Sequence, residues 1–153
     1  MADERHDYDL AEVQAIAAQG RRLVIYDRAT GLYAYWYLEL RAEEELARSR
    51  RFNKPAVLLS LWASTPDAID ATARHLKSGL RTYDLAGYLN NGHFLVILNE
   101  TNREGASIVL ERVREAVGPD VDAGLACFPE DGDSFDALLT HAKTSAGLDA
   151  AAA

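Results

Sequence analysis

The stretch GYLNNGHFLVIL, Gly87 to Leu98, carries two short apolar runs on either side of Asn90-Asn91-Gly92. Asn-Gly between strand-like segments marks a tight two-residue hairpin, because both central positions need positive φ and these residues tolerate it best. The spacing predicts strands over Asp84–Leu89 and His93–Leu98. Such a turn requires no ligand, so Asn90 and His93 at its tip read as scaffold before they read as a site.

Upstream of the hairpin, Pro55 opens AVLLSLW, a run too short and too uniformly apolar for anything but a buried strand. In STPDAIDATARHLKSGLR, Thr65 is placed to cap a helix whose first residue is Pro66, with Asp67 at the positive end of the helix dipole. Downstream, TNRE from Thr101 has the form of a capping box, and Ile108, Leu110, Val113 and Val117 supply the inner face of its helix. DVDAGLACFP reads as a last strand ended by Pro129 and the loop EDGD, and Phe135, Leu138, Leu139 and Ala142 mark a closing helix.

Toward the N-terminus, DLAEVQAIAAQG puts Leu10, Val13 and Ile16 on one helical face and stops at Gly20. RRLVIYDRATGLYAYWY then gives an apolar run, a turn at Thr30-Gly31 and a helix over about Tyr33–Arg51, whose glutamates near Arg48 form a solvated face. The order strand, helix, hairpin, helix, strand is an α+β pattern: a ferredoxin-like, palm-type βαββαβ sheet with added N-terminal helices and a C-terminal helix. It predicts an antiparallel sheet with helices on one face and, through right-handed crossovers, the first and last strands in the middle. The expected organisation is a helix and lead-in over 1–26, the domain over 27–148 and a disordered alanine-rich tail over 149–153.

Composition bounds the function. A chain of 153 residues, 48% apolar and 26% charged, fits one soluble globular domain. No stretch reaches the roughly 20 apolar residues of a membrane span, and the first residues lack the apolar core of a signal peptide. Cys127 is the sole cysteine, which rules out an internal disulfide and fits a cytoplasmic protein. In its apolar run it reads as a small core residue rather than a nucleophile. A net charge of −8 opposes general nucleic-acid binding, although a few local arginines suffice for a small anion. His75 has no ligand partner three or four residues away, so it reads as a surface histidine, and no metal or cofactor is expected.

Four segments together resemble one family, the diguanylate cyclases or GGDEF domains of bacterial signal transduction. DRATGL at Asp27–Leu32 resembles the opening motif D-x-L-T-G-L, with Ala29 for Leu. RTYDLAGYLNNGHFLVIL is similar to the R-x-x-D segment and the signature hairpin at the same five-residue spacing. LERVREAV resembles the helix that follows, and VDAGLACFPEDG the segment S-x-G-x-A with P-x-D-G.

The resemblance implies a domain in which two GTP molecules, each with a divalent metal, are condensed to cyclic di-GMP. In the family one metal-binding carboxylate ends the first strand and another stands in the hairpin; here Ser60 and Gly92 occupy those places. Asn90 and Asn91 replace the two glycines, His93 replaces the second acid, and only Phe94 of the hairpin signature remains. The stretch that carries the guanine-binding Asn and Asp is shortened, and the closing A-K-x-x-G-R-N segment has no counterpart after HAKTSAG. Magnesium takes oxygen ligands, chiefly carboxylates with substrate phosphates, so the expectation is a degenerate domain without enzyme activity.

What the resemblance leaves is a product-inhibition site. In many family members the Arg and Asp of R-x-x-D grip cyclic di-GMP, assisted by an arginine on the following helix; those would be Arg81, Asp84 and Arg112. The fork of a guanidinium suits phosphate or the guanine Hoogsteen edge. The same Arg81 and Asp84 would also serve as an ordinary ion pair between a helix end and a strand start. Tyr33, Tyr35, Trp36 and Tyr37 read as core packing, with a face against a second chain as the alternative. The expected function is therefore a non-catalytic regulatory module acting through a protein partner or homodimer. The alternatives are a cyclic di-GMP effector and, last, a residual cyclase.

Overall fold

The structure, a computed structural model, describes residues 24–152; the helix expected over Asp9–Gly20 lies outside the described residues. The elements are β1 (Tyr33–Ala34), α1 (Tyr35–Phe52), β2 (Ala56–Ala63), α2 (Pro66–Gly79), β3 (Leu85–Tyr88), β4 (His93–Asn99), α3 (Arg103–Val117), β5 (Val121–Phe128) and α4 (Phe135–Ala152). They form a five-stranded sheet in the order β1-β3-β4-β2-β5. The fold class is the α+β arrangement expected from the sequence, but three of its details differ.

The first difference is strand order. β2 and β4 hold the middle, and β5, the last strand, lies at an edge. The reason is that each strand–helix–strand unit is split. The crossover through α2 sets β3 one strand away from β2, and the hairpin folds β4 into the gap, antiparallel to both. The crossover through α3 then carries the chain past β2, so β5 pairs with β2's free side. A two-residue β1 adds a parallel pair with β3, which makes the sheet mixed and starts the following helix at Tyr35 rather than Tyr33. At that crossing Gly87 faces Tyr33; a Cβ there would lie 2.8 Å from the Leu38 side chain and 3.1 Å from the Tyr33 carbonyl oxygen.

The second difference is that helices cover both faces. Val57, Leu59, Leu61, Phe94 and Val96 pack with Ala73 and Leu76 of α2 and Ala106 and Val113 of α3. Leu58, Leu95 and Ile97 pack on the other side with Leu38, Ala42 and Leu46 of α1 and Phe135, Leu138 and Leu139 of α4. A half-covered antiparallel sheet alternates apolar and polar residues, whereas β2 and β4 are buried at nearly every position, as two-sided cover demands.

The third difference is at α3. Thr65 caps α2 as expected, its hydroxyl accepting from the Ala68 N–H at 3.1 Å. At α3 the cap is Asn102, whose Oδ1 accepts from the Gly105 N–H at 2.9 Å. Thr101 is unavailable because its hydroxyl turns inward to the Asn99 carbonyl. Of the expected inner face, Val113 is buried and Leu110 and Val117 pack against the core together with Ala106, whereas Ile108 falls off that helical stripe and is 52% exposed.

Removing core volume from β2 should therefore cost more than removing a cap. Leu58→Ala is expected to lower stability by about 2–5 kcal/mol and Thr65→Ala by about 1 kcal/mol, as read by urea unfolding followed by circular dichroism.

Candidate functional site

The hairpin turn is built as its residues require. Asn91 and Gly92 adopt φ of 50° and 83°, and the His93 N–H donates to the Asn90 carbonyl at 2.9 Å. Asn90 and Asn91 are exposed, while Gly92 is buried against the end of β2. The Ala63 N–H donates to the Gly92 carbonyl at 2.8 Å, and the Gly92 N–H donates to the Tyr88 hydroxyl at 2.9 Å. A Cβ at Gly92 would stand 2.0 Å from the Ala63 carbonyl oxygen. In this backbone no side chain of any kind fits at that position.

Beneath the turn, Ser60 and His93 form a buried pair, with Ser60 Oγ 2.6 Å from His93 Nε2. His93 stands opposite Trp62 in the β2–β4 register, and their rings stack at 4.5 Å between centroids with planes 8° apart. Burial pushes the imidazole pKa down to about 4, with the Lys143 charge adding to the effect. The ring is thus neutral at ordinary pH, as a desolvated histidine must be. Phe94, the next residue, points to the opposite face and packs at 4.8 Å from Tyr88.

These residues do not fit a divalent metal. A hard cation needs several anionic or carbonyl oxygens; the two positions in question provide one hydroxyl, already bonded to imidazole, and a glycine pressed on backbone. Among the described residues no group of three or more His, Cys, Asp or Glu side chains is placed to hold a metal.

At the other end of the sheet, Arg81 and Asp84 come together in a bidentate ion pair: Nε to Oδ2 and Nη2 to Oδ1, each 3.0 Å. Nη2 also donates to the Asn99 carbonyl at 2.8 Å and the Thr101 hydroxyl at 2.7 Å. Asp84 accepts in addition from the Asn99 N–H at 3.2 Å, and the guanidinium lies over the Tyr83 ring at 4.6 Å. The pair ties the start of β3 to the end of β4 and the lead-in to α3. Asp84's side chain is 2% exposed and Arg81's 45%, so the pair closes the sheet end and leaves the outer edge of the guanidinium in solvent. Arg112 is exposed on α3, nine residues beyond Arg103 and so roughly 13 Å along the helix axis. It takes no part in the Arg81–Asp84 hydrogen bonds.

Other singled-out residues have structural surroundings. Cys127 is buried in the core, and desolvation raises its thiol pKa. His75 is half-buried on α2. The aromatic cluster is internal in part: Tyr35 packs near Phe135, and Tyr33 stacks on Tyr26 and meets Tyr37 edge-on at 4.9 Å. Asp27 shapes the DRATGL turn by accepting from the Thr30 N–H and hydroxyl, each at 2.8 Å. Sequence reasoning missed the Ser60–His93 bond, the Trp62 stack, and Asn99 with Thr101 as anchors of the ion pair. The even spacing of Ser60 and Trp62 on β2 was the available signal that both face one side.

No family model matches the chain, and no curated protein matches it. Solved structures do, many of them of GGDEF domains. The GGDEF domain of DgcB from Caulobacter crescentus in complex with c-di-GMP aligns at TM-score 0.77 and 14% identity, covering 86% of this chain and 90% of that one. A sensory box/GGDEF family protein from Caulobacter crescentus aligns at TM-score 0.76 and 17% identity, covering 84% and 99%. Diguanylate cyclase SiaD from Pseudomonas aeruginosa, in complex with its activator SiaC, aligns at TM-score 0.68 and 27% identity over 90% of this chain and 62% of that one. The fold is that of GGDEF domains.

Two outcomes follow from this geometry. His93 binds a proton in the unfolded chain near the ordinary pKa of 6.5 but in the folded chain only near 4. Its contribution to stability is therefore complete above pH 6.5 and lost as pH falls toward 4, with a slope of at most about 1.4 kcal/mol per pH unit. Urea midpoints across that range should fall with pH, and His93→Gln should flatten the dependence. Arg81→Ala strands a buried carboxylate and should destabilise by roughly 1–3 kcal/mol, whereas Arg112→Ala should change the urea midpoint little.

Proposed function

We propose that this chain is a GGDEF-fold signalling module without cyclase chemistry, working through contact with another protein or a second copy of itself. The observation that supports this reading most is the hairpin tip. The Ser60–His93 bond, the Trp62 stack and the seat of Gly92 on Ala63 occupy the region where the resemblance would put a metal and a triphosphate. Condensing two nucleotides develops charge on phosphate oxygens, and preorganised cations or donors supply several kcal/mol of its stabilisation. A hydroxyl bonded to a neutral imidazole does not replace them. Diguanylate cyclase SiaD forms a complex with its activator SiaC, so a domain of this fold does take part in protein assembly.

The second reading is a cyclic di-GMP effector that uses Arg81, Asp84 and Arg112. It draws on the DgcB complex with c-di-GMP and on the presence of all three residues. The internal hydrogen bonds of Arg81 weigh against it: a ligand would have to share or break a bidentate pair, leaving the outer Nη1 edge as the main free donor.

Incubation with GTP and Mg²⁺ or Mn²⁺, followed by chromatography, should yield no metal-dependent product; cyclic di-GMP formation would overturn the first reading. Calorimetric titration with cyclic di-GMP separates the two. Absence of heat at tens of micromolar ligand, about the range in which a micromolar site saturates, supports the module; saturable binding abolished by Arg81→Ala supports the effector. Light scattering then distinguishes a homodimer from a chain that awaits a different partner.

A further inference from the structure

We infer that the hairpin tip is a site of covalent self-modification, in which Asn91 loses its side-chain amide to the backbone nitrogen of Gly92 and the Tyr88 hydroxyl sets the pace. The chain has five asparagines, Asn53, Asn90, Asn91, Asn99 and Asn102, and only Asn91 precedes a glycine. The other four are followed by residues whose side chains crowd the attacking nitrogen; Gly92 has none. Asn91 is also exposed at the turn, so water reaches its amide. The inference concerns the turn alone and does not depend on the loss of cyclase chemistry.

The step balances with water as the only co-reactant. The Gly92 nitrogen attacks Asn91 Cγ, the new N–Cγ bond forms as Cγ–Nδ2 breaks, and Nδ2 leaves as ammonia with the former Gly92 amide proton. Water then opens the resulting succinimide at either carbonyl, giving aspartate or isoaspartate at position 91. Either product adds one negative charge to the tip. Aspartate keeps the turn, because Asp-Gly also suits two residues with positive φ. Isoaspartate routes the main chain through the side chain and lengthens it by one carbon. Gly92 has no slack for that: it is pressed so closely on the end of β2 that a Cβ would stand 2.0 Å from the Ala63 carbonyl oxygen. The isoaspartyl form therefore lifts the hairpin off the strand that carries Ser60 and Trp62.

The folded turn restrains this reaction. Positive φ at Asn91 and Gly92, with the His93 N–H bonded to the Asn90 carbonyl, is a type I′ turn, which holds ψ at its first central residue near about +30°. Closing a five-membered ring requires the Gly92 nitrogen to swing round until it eclipses Cβ of Asn91, far from that value. The Tyr88 hydroxyl opposes the swing directly, since it accepts the Gly92 N–H at 2.9 Å and so fixes the plane of the Asn91–Gly92 peptide. The Gly92 carbonyl, bonded to the Ala63 N–H at 2.8 Å, anchors the next peptide. Tyr88 is thus a positioning residue, held in turn by its ring contact with Phe94 at 4.8 Å. Ring closure follows local opening of the turn, and the Tyr88 bond is part of what that opening must break.

The test is a time course of the full chain in mildly alkaline buffer, with peptide mapping by mass spectrometry to count acid at each asparagine and chromatography to separate aspartate from isoaspartate. Acid is expected at Asn91 ahead of the other four positions, and roughly thirtyfold faster in urea, where both turn hydrogen bonds are gone. Tyr88→Phe keeps the ring and removes the hydroxyl; it should speed the native reaction about fivefold and leave the rate in urea unchanged. Hydrogen exchange by NMR separates a local effect from general loosening: Gly92 should exchange faster in Tyr88→Phe while the Leu95 and Ile97 amides of β4 stay as slow as before. No acid at Asn91 in urea, a native rate equal to the unfolded one, or an unchanged rate in Tyr88→Phe would overturn the inference. So would an acceleration matched by equal loss of protection at Leu95 and Ile97.

Discussion

A hydrogen bond of 2.6 Å between Ser60 and His93 joins the two central strands beneath the hairpin turn. Neither group survives there alone. A lone serine hydroxyl or imidazole nitrogen in this interior would carry the cost of an unpaired polar group; together they are satisfied, and Trp62 seals the imidazole from above. Burial keeps the imidazole neutral, so the pair adds no charge to the interior. The hairpin closes over this pair because Gly92 has no side chain and reaches the Ala63 backbone, an approach that any Cβ would block.

The opposite end of the sheet is organised by charge. The Arg81–Asp84 pair gathers the Asn99 backbone and the Thr101 hydroxyl around one guanidinium, so β3, β4 and the approach to α3 share a single knot. Taking Thr101 into that knot leaves the N-terminus of α3 to Asn102. One polar contact thus decides a cap. A residue pair that resembles a ligand site is, in this chain, first a structural joint.

Much of this was legible in the residues, and the failures have local causes. The turn at Asn91-Gly92, the Thr65 cap and the inner face of α4 follow from neighbours in sequence, and each is found in the structure. The strand order and the second covered face depend on how crossovers nest, which periodicity does not report. The almost uniformly apolar run of β2, broken only by Ser60, nevertheless carried the signal of two-sided burial. The capping box at Thr101 misled because the competing demand came from Arg81, twenty residues earlier. Ser60 and His93 were recognised as departures from a pattern; that they bond to each other, across 33 residues, follows only from the pairing register of β2 and β4.

The central claim is that the hairpin tip is closed to a metal-bound nucleotide. Electron paramagnetic resonance of Mn²⁺ with GTP, titrated with the protein, tests it directly, because the manganese spectrum changes when the metal enters a protein site. The account predicts a spectrum indistinguishable from that of Mn²⁺–GTP in buffer at every protein concentration. A saturable change that is lost when Trp62 and Ser60 are altered would contradict it.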